Sequence, residues 1–271
     1  MRRLKRFVLA ASLALSPLTV RAQNVLIIDS PISSVNSNLK SLQQSAGYNV
    51  TSAPTIPSTF SGFSQIWDLR AFDALTTSQQ GAYLTYLQAG GRVFVMGENA
   101  APSFVARNNS IFSLIGAAGG GNVALGGGLC SNDTQTANAP FTGPNFLSIV
   151  TYQCAGNFDN MGTGQWITNA GNIGAGVAWG FGTLANAKAG SLTSILDINF
   201  LSGTGSSVEQ ALVKNLVGFV NNQVPTAPVP GSPPPTSTVP EPSTYALMAC
   251  GLAAIGILSQ RRRHTNSGTL V

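Results

Sequence analysis

Short apolar runs separated by amphipathic helical stretches constrain this chain most. Asn24 to Asp29 (NVLIID) and Arg92 to Met96 (RVFVM) show no polar alternation, the pattern of strands covered on both faces. Between them, Val35, Leu39, Leu42 and Ala46 recur on one helical face, with Ser33 or Ser34 as capping candidates and Gly47 as a stop. Tyr48 to Thr51 and Gln65 to Leu69 (QIWDL) are further strand candidates. Thr77 and Gln80 have the spacing of a capping box, opening a helix that carries Tyr83, Leu84 and Leu87 and closes at Gly90-Gly91. Strands alternating with helices of this length predict βαβ units and a mostly parallel sheet. Right-handed crossovers then put helices on both faces.

The middle of the chain changes character. Of 30 glycines, 16 lie between Gly116 and Gly182. Strong helix formers are few there, which predicts an insertion of short strands and loops. Regular pattern returns with Gly190 to Leu201 (GSLTSILDINFL), read as a strand, and a closing helix over Ser207 to Asn222. Ser206 and Glu209 are its capping candidates, and Val208, Leu212, Leu216 and Phe219 its apolar stripe. The first and last thirds are expected to share one core.

Charge excludes several function classes. The chain has 271 residues, of which 14 are Lys or Arg and 9 are Asp or Glu. Most of the basic excess sits in the termini. Between Gln23 and Gln223 there are six basic and eight acidic residues, so a counterion-releasing nucleic-acid surface is not expected. The single histidine, His264, lies outside that stretch. Histidine-based triads and histidine metal sites are therefore excluded from the body.

The two ends read as addresses. Residues 1–22 have a basic start (Arg2 to Arg6), an apolar run (Phe7 to Leu15) and small side chains at Val20 and Ala22, which predicts a secretory signal peptide cleaved between Ala22 and Gln23. An uncleaved anchor competes, but the apolar run is short for a span. At the other end, residues 224–239 hold six prolines in sixteen positions, the composition of an extended spacer. Then follow Pro240-Glu241-Pro242, an apolar run from Tyr245 to Leu258 and Arg261-Arg262-Arg263. The run predicts a single C-terminal transmembrane helix, and the arginines place its end in the cytoplasm. Residues 264–271 form a short tail.

This tripartite end, residues 240–263, resembles the PEP-CTERM sorting signal of exported bacterial proteins. The resemblance implies an inner-membrane intermediate, processing near the triplet by an exosortase-type membrane enzyme, and delivery to the cell surface. Such systems accompany exopolysaccharide and biofilm production. The tail after the arginines departs from the usual pattern, and a plain C-terminal membrane anchor is the competing reading.

The body, residues 23–223, is similar to the class I glutamine amidotransferase-like superfold, a flavodoxin-like α/β layout. The NVLIID strand, the AGGRVFVMGEN strand and turn, and the ILDINFLS strand with its closing helix carry the likeness. That family places a nucleophilic cysteine in the sharp turn after the strand that corresponds to Arg92–Met96. Here the turn reads Gly97-Glu98-Asn99, and no histidine is available as a base. The expectation is a body without catalytic residues.

Two constellations remain. Cys130 and Cys154 are the body's only cysteines, and export to an oxidising compartment predicts a disulfide between them. Cys250 sits in the apolar C-terminal run. Asp29, Asp68, Glu98 and Asp197 each fall at or near the carboxyl end of a predicted strand, where open α/β sheets bind ligands. Together they could hold Ca²⁺ or hydrogen-bond sugar hydroxyls. The competing reading is that they cap turns and helices. Tyr152, Trp166 and Trp179 are candidates for stacking on sugars or, alternatively, for filling the core. Gly119–Gly121 and Gly126–Gly128 lack the Lys-Ser/Thr of a phosphate loop. Two function classes follow. One is a non-catalytic structural or glycan-binding module of the cell surface. The other is a carboxylate-based hydrolase acting on extracellular polysaccharide.

Overall fold

The computed structural model describes residues 23–128, 131–203 and 206–222. The signal peptide, Cys130, the proline-rich spacer, the sorting signal with its apolar run and the tail lie outside these residues. Among the described residues, no helix is long and apolar enough to cross a membrane.

The chain runs β1 (Asn24–Ile28), α1 (Ser33–Ser45), β2 (Asn49–Ala53), β3 (Gln65–Asp68), α2 (Thr77–Gln88), β4 (Arg92–Met96) and α3 (Pro102–Ala118). The insertion adds β5 (Leu125–Gly127), β6 (Asp133–Ala137), β7 (Ile149–Tyr152), β8 (Asn157–Phe158), β9 (Gln165–Ala170) and β10 (Ile173–Trp179). β11 (Ser191–Ile195), a 3₁₀ turn (Asn199–Leu201) and α4 (Ser207–Asn222) close the body.

The strands form one sheet in the order β2-β1-β3-β4-β11-β10-β9-β6-β7, with β8 beside β10 and β5 beside β8. The expectation of a mostly parallel sheet needs correction, because the sheet is mixed. β2, β1, β3, β4 and β11 run parallel. From β11 outward through β10, β9, β6 and β7, every pair is antiparallel. The cause is connection length. β9 and β10 are joined by only two residues, and a parallel neighbour needs a crossover of a dozen or more. Gly171, at φ +63°, supplies the positive φ at the first of those two positions.

Helices cover both faces, as expected. One core gathers Val25, Ile27, Trp67, Phe94 and Ile195 beneath α1 and α4. The other gathers Leu26, Ile28, Ile66, Val93 and Val95 beneath α2 and α3. Alternate residues of the same strands feed the two cores, so β1 from Val25 and β4 from Val93 are apolar at every position.

Several local expectations shift. The first capping box uses Thr76 and Gln79, one residue earlier than expected: Thr76 Oγ1 accepts from the Gln79 amide at 3.2 Å, and Gln79 Oε1 accepts from the Thr76 amide at 3.0 Å. Neither Ser33 nor Ser34 caps α1. Asn36 folds back instead, exchanging two hydrogen bonds with the Ser30 backbone, each 2.8 Å. The last strand ends at Ile195, short of the expected Leu201. α4 spans the expected residues, and its capping pair forms. The Ser206 amide donates to Glu209 Oε2 at 2.6 Å, and the Glu209 amide to Ser206 Oγ at 3.3 Å.

Candidate functional site

β1 and β3 are neighbours, and the chain leaves β1 in one direction to reach β2 but leaves β3 in the other to reach β4. Ligands of open α/β sheets bind outside the carboxyl ends of the strands at such a reversal. A crevice opens there. One hollow of about 390 Å³ is lined by Asp29, Ser30, Pro54, Arg70, Phe72 and Asp73, among others. A second, of about 420 Å³, is lined by Ile32, Phe72, Glu98, Asn99, Phe104 and Asn199, among others. A larger hollow of about 520 Å³ lies at the opposite edge, between residues 58–63 and α2, but no charged side chain lines it.

Asp68 does not face the crevice as a ligand. It is fully buried and held by two arginines. Arg70 Nε donates to its Oδ1 and Arg70 Nη2 to its Oδ2, both at 2.9 Å. Arg107 Nη2 lies 3.2 Å from Oδ2, and the Tyr83 hydroxyl donates to the same oxygen at 3.0 Å. Burial pushes the Asp68 carboxyl up, but Arg107 and Arg70 together outweigh it and hold the group below its ordinary range. Arg107 also donates to the Met96 carbonyl at 3.0 Å and to the Asp73 carbonyl at 3.4 Å. The Leu75 amide is held by Ser110 Oγ at 2.9 Å. The loop after β3 is thus tied at both ends to the interior, and its tip presents Phe72. That ring is 51% exposed and packs on Phe104 with centroids 4.9 Å apart.

Asp29, at the end of β1, is half-buried on the crevice wall. Its Oδ1 is buried and makes no hydrogen bond within the chain. Burial raises its carboxyl, with Lys40 and the Ser52 hydroxyl opposing.

Glu98 occupies the turn after β4, yet it is only 2% exposed. Its Oε1 accepts from the Asn99 amide and from Asn99 Nδ2, each at 3.0 Å, and its Oε2 accepts from the Ile198 amide at 3.0 Å. Asn108 secures the same turn, accepting from the Glu98 amide at 3.0 Å and donating to the Glu98 carbonyl at 2.7 Å. Residues 154–156 of the insertion lie directly over this elbow. A Cβ on Gly156 would meet the Glu98 carbonyl oxygen at 2.6 Å. The Gly156 amide donates to the Leu196 carbonyl at 2.7 Å and the Ala100 amide to that of Gly128 at 2.9 Å. Glu98 therefore caps backbone amides, as one of the two sequence readings allowed.

Asp197 lies inside, with no exposure. Oδ1 accepts from the Asn199 amide at 2.7 Å, while Oδ2 has no hydrogen-bond partner. Burial first, then the negative charge of Glu98, pushes its carboxyl up to about 7. The four acids thus fall into separate environments. Among the described residues, no three acidic, cysteine or histidine side chains converge on a metal-sized site.

The aromatic candidates change as well. Tyr152 and Trp179 are fully buried. The Trp179 indole donates to the Gly120 carbonyl at 2.9 Å, and the Tyr152 hydroxyl bonds Thr168 Oγ1 at 2.9 Å. Trp166 is half-buried against the α2–α3 core. The ring that meets solvent at the crevice is Phe72, which sequence reasoning missed. Its only signal was an aromatic residue two positions after an Asp-x-Arg at a strand end.

Among solved structures, the chain is similar to the N-terminal domain of mmIFT52, at 12% identity with a TM-score of 0.56, covering 74% of this chain and 98% of that one. It is also similar to a ThuA-like protein from Parabacteroides merdae, at 12% identity with a TM-score of 0.47, covering 77% and 92% respectively. These likenesses concern the α/β fold and carry no activity with them. No curated protein matches the chain. Residues 238–263 match the family described as the PEP-CTERM protein-sorting motif, which marks this chain as an exported protein that transits the membrane and is processed there by an exosortase.

Proposed function

We propose that this chain is a cell-surface protein, held in the inner membrane by its C-terminal apolar run until exosortase processing. Its body is an amidotransferase-like domain without catalytic residues that binds glycan in the exopolysaccharide layer. The observation that carries this reading is Phe72, an exposed ring on a loop fixed by Asp68, Arg70 and Arg107, at the mouth of the switch-point crevice. Aromatic faces suit the CH faces of sugars, and pre-ordering the loop lowers the entropic cost of binding. The capped carboxylate of Glu98 and the histidine-free body support a non-catalytic role. We also propose the Cys130–Cys154 disulfide, which would hold residues 154–156 over the elbow.

A carboxylate-based hydrolase is the second reading, favoured by Asp197, whose proton is retained to about 7 beside Glu98. A glycan array probed with the mature protein separates the two. Retention of intact oligosaccharides, weakened at least tenfold by Phe72→Ala, supports binding. Cleavage products abolished by Glu98→Gln would replace it with the hydrolase. For sorting, deletion of Pro240–Pro242 is expected to leave the protein in the inner membrane, and normal surface delivery of the deletion variant overturns that part.

A further inference from the structure

The crevice is divided. Its two hollows share Ala71 and Phe72. The Phe72 ring therefore stands as a partition with a compartment on either side, its tilt set by contact with Phe104. Each compartment falls within the range of roughly 300–1,000 Å³ usual for small-ligand sites. Resting on the glycan-binding reading, we infer that the site takes an oligosaccharide of at least two sugar units, one on each side of Phe72.

The two sets of walls differ. The first compartment is polar, lined by Ser30, Arg70, Asp73 and the half-buried Asp29, a mixture of donors and acceptors that suits sugar hydroxyls. The second compartment is more apolar, with Ile32, Ala101 and Phe104, while Asn99 and Asn199 supply its amides. It suits the less polar face of a second ring. Two moderate compartments joined by one ring favour length over any single sugar, because the second unit binds as an attached neighbour.

The test is titration calorimetry on the mature protein with glucose, mannose and their β-1,4-linked di- and tetrasaccharides. The expected result is binding of a disaccharide or tetrasaccharide at least tenfold tighter than its monosaccharide. Phe72→Ala is expected to weaken the tetrasaccharide tenfold or more. Ala101→Trp, which fills the second compartment alone, should reduce tetrasaccharide affinity to that of the monosaccharide. Phe146→Ala, at an 86% exposed ring on the far insertion, serves as the control and should change nothing. Equal affinity for monosaccharide and tetrasaccharide, unchanged by Ala101→Trp, overturns the two-compartment inference and leaves glycan binding standing. Absence of heat from every sugar overturns the binding reading itself.

Discussion

Asp68 and Asp197 are both carboxylates at strand ends, both completely buried, and electrostatically opposite. Asp68 received two arginines and a tyrosine hydroxyl, and it is held ionised. Asp197 received one amide on one oxygen, nothing on the other, and a second carboxylate nearby, and it keeps its proton to about 7. Burial alone therefore does not say what a carboxylate does. The partners decide, and here they make one acid a clamp and the other a neutral filler that charges only at cost.

The largest way to break this contrast is Arg107→Met. It leaves Asp68 buried with Arg70 alone and frees the Met96 and Asp73 carbonyls. Loss of one partner from a buried ion pair costs about 3–5 kcal/mol, which urea unfolding at pH 7 would register. The deficit should shrink in acid. Because the native Asp68 carboxyl titrates below its ordinary value, its stabilisation is present above about pH 4 and lost as pH falls through the native value.

Asp197→Asn sharpens the contrast with the opposite sign. The native carboxyl titrates near 7, above its ordinary 3.8, so the native state holds the extra proton. Its contribution is fully present below about pH 4 and is lost as pH rises through 7. The asparagine variant should be more stable than the parent by on the order of 4 kcal/mol at pH 8, with the gain vanishing near pH 4. Thermal unfolding across that window checks it. A gain independent of pH would mean that Asp197 is not neutral in the native protein.

Glu98→Gln is the smallest and most diagnostic change. Oε1 can still accept from Asn99, but an amide nitrogen would replace the oxygen that accepts from the Ile198 amide. That mismatch costs about 1–2 kcal/mol at pH 5. At pH 8 the cost should be smaller, because removing the charge beside Asp197 lets that group ionise more easily.

The parallel half was legible in the sequence because β1 and β4 are apolar along their buried lengths and α2 and α4 carry capping pairs. The residues from Asn24 to Met96 and those of α4 followed the pattern closely. α3 was not legible. Its inward face includes Arg107, Asn108 and Ser110, which serve Asp68, Glu98 and Leu75, and polar residues on the buried side blur the helical period. The insertion was recognised by its glycines, but not as an extension of the main sheet. Its core is partly polar. Gln135 bonds Asp133 at 2.7 Å, Asn157 at 2.6 Å and Thr168 at 2.9 Å, a network that composition reads as loop. At the site, strand-end acids could be located by position, whereas their partners are distant in sequence. Ile198 reaches Glu98 across 100 residues.

The stretch over Glu98 also limits what re-engineering could achieve. Any replacement side chain at Glu98 would have to keep the Asn99 and Ile198 amides satisfied, and Gly156 lies too close to the Glu98 carbonyl to carry a Cβ. A change at this turn is thus transmitted to the insertion and to the segment after β11 together, although the three are far apart in sequence.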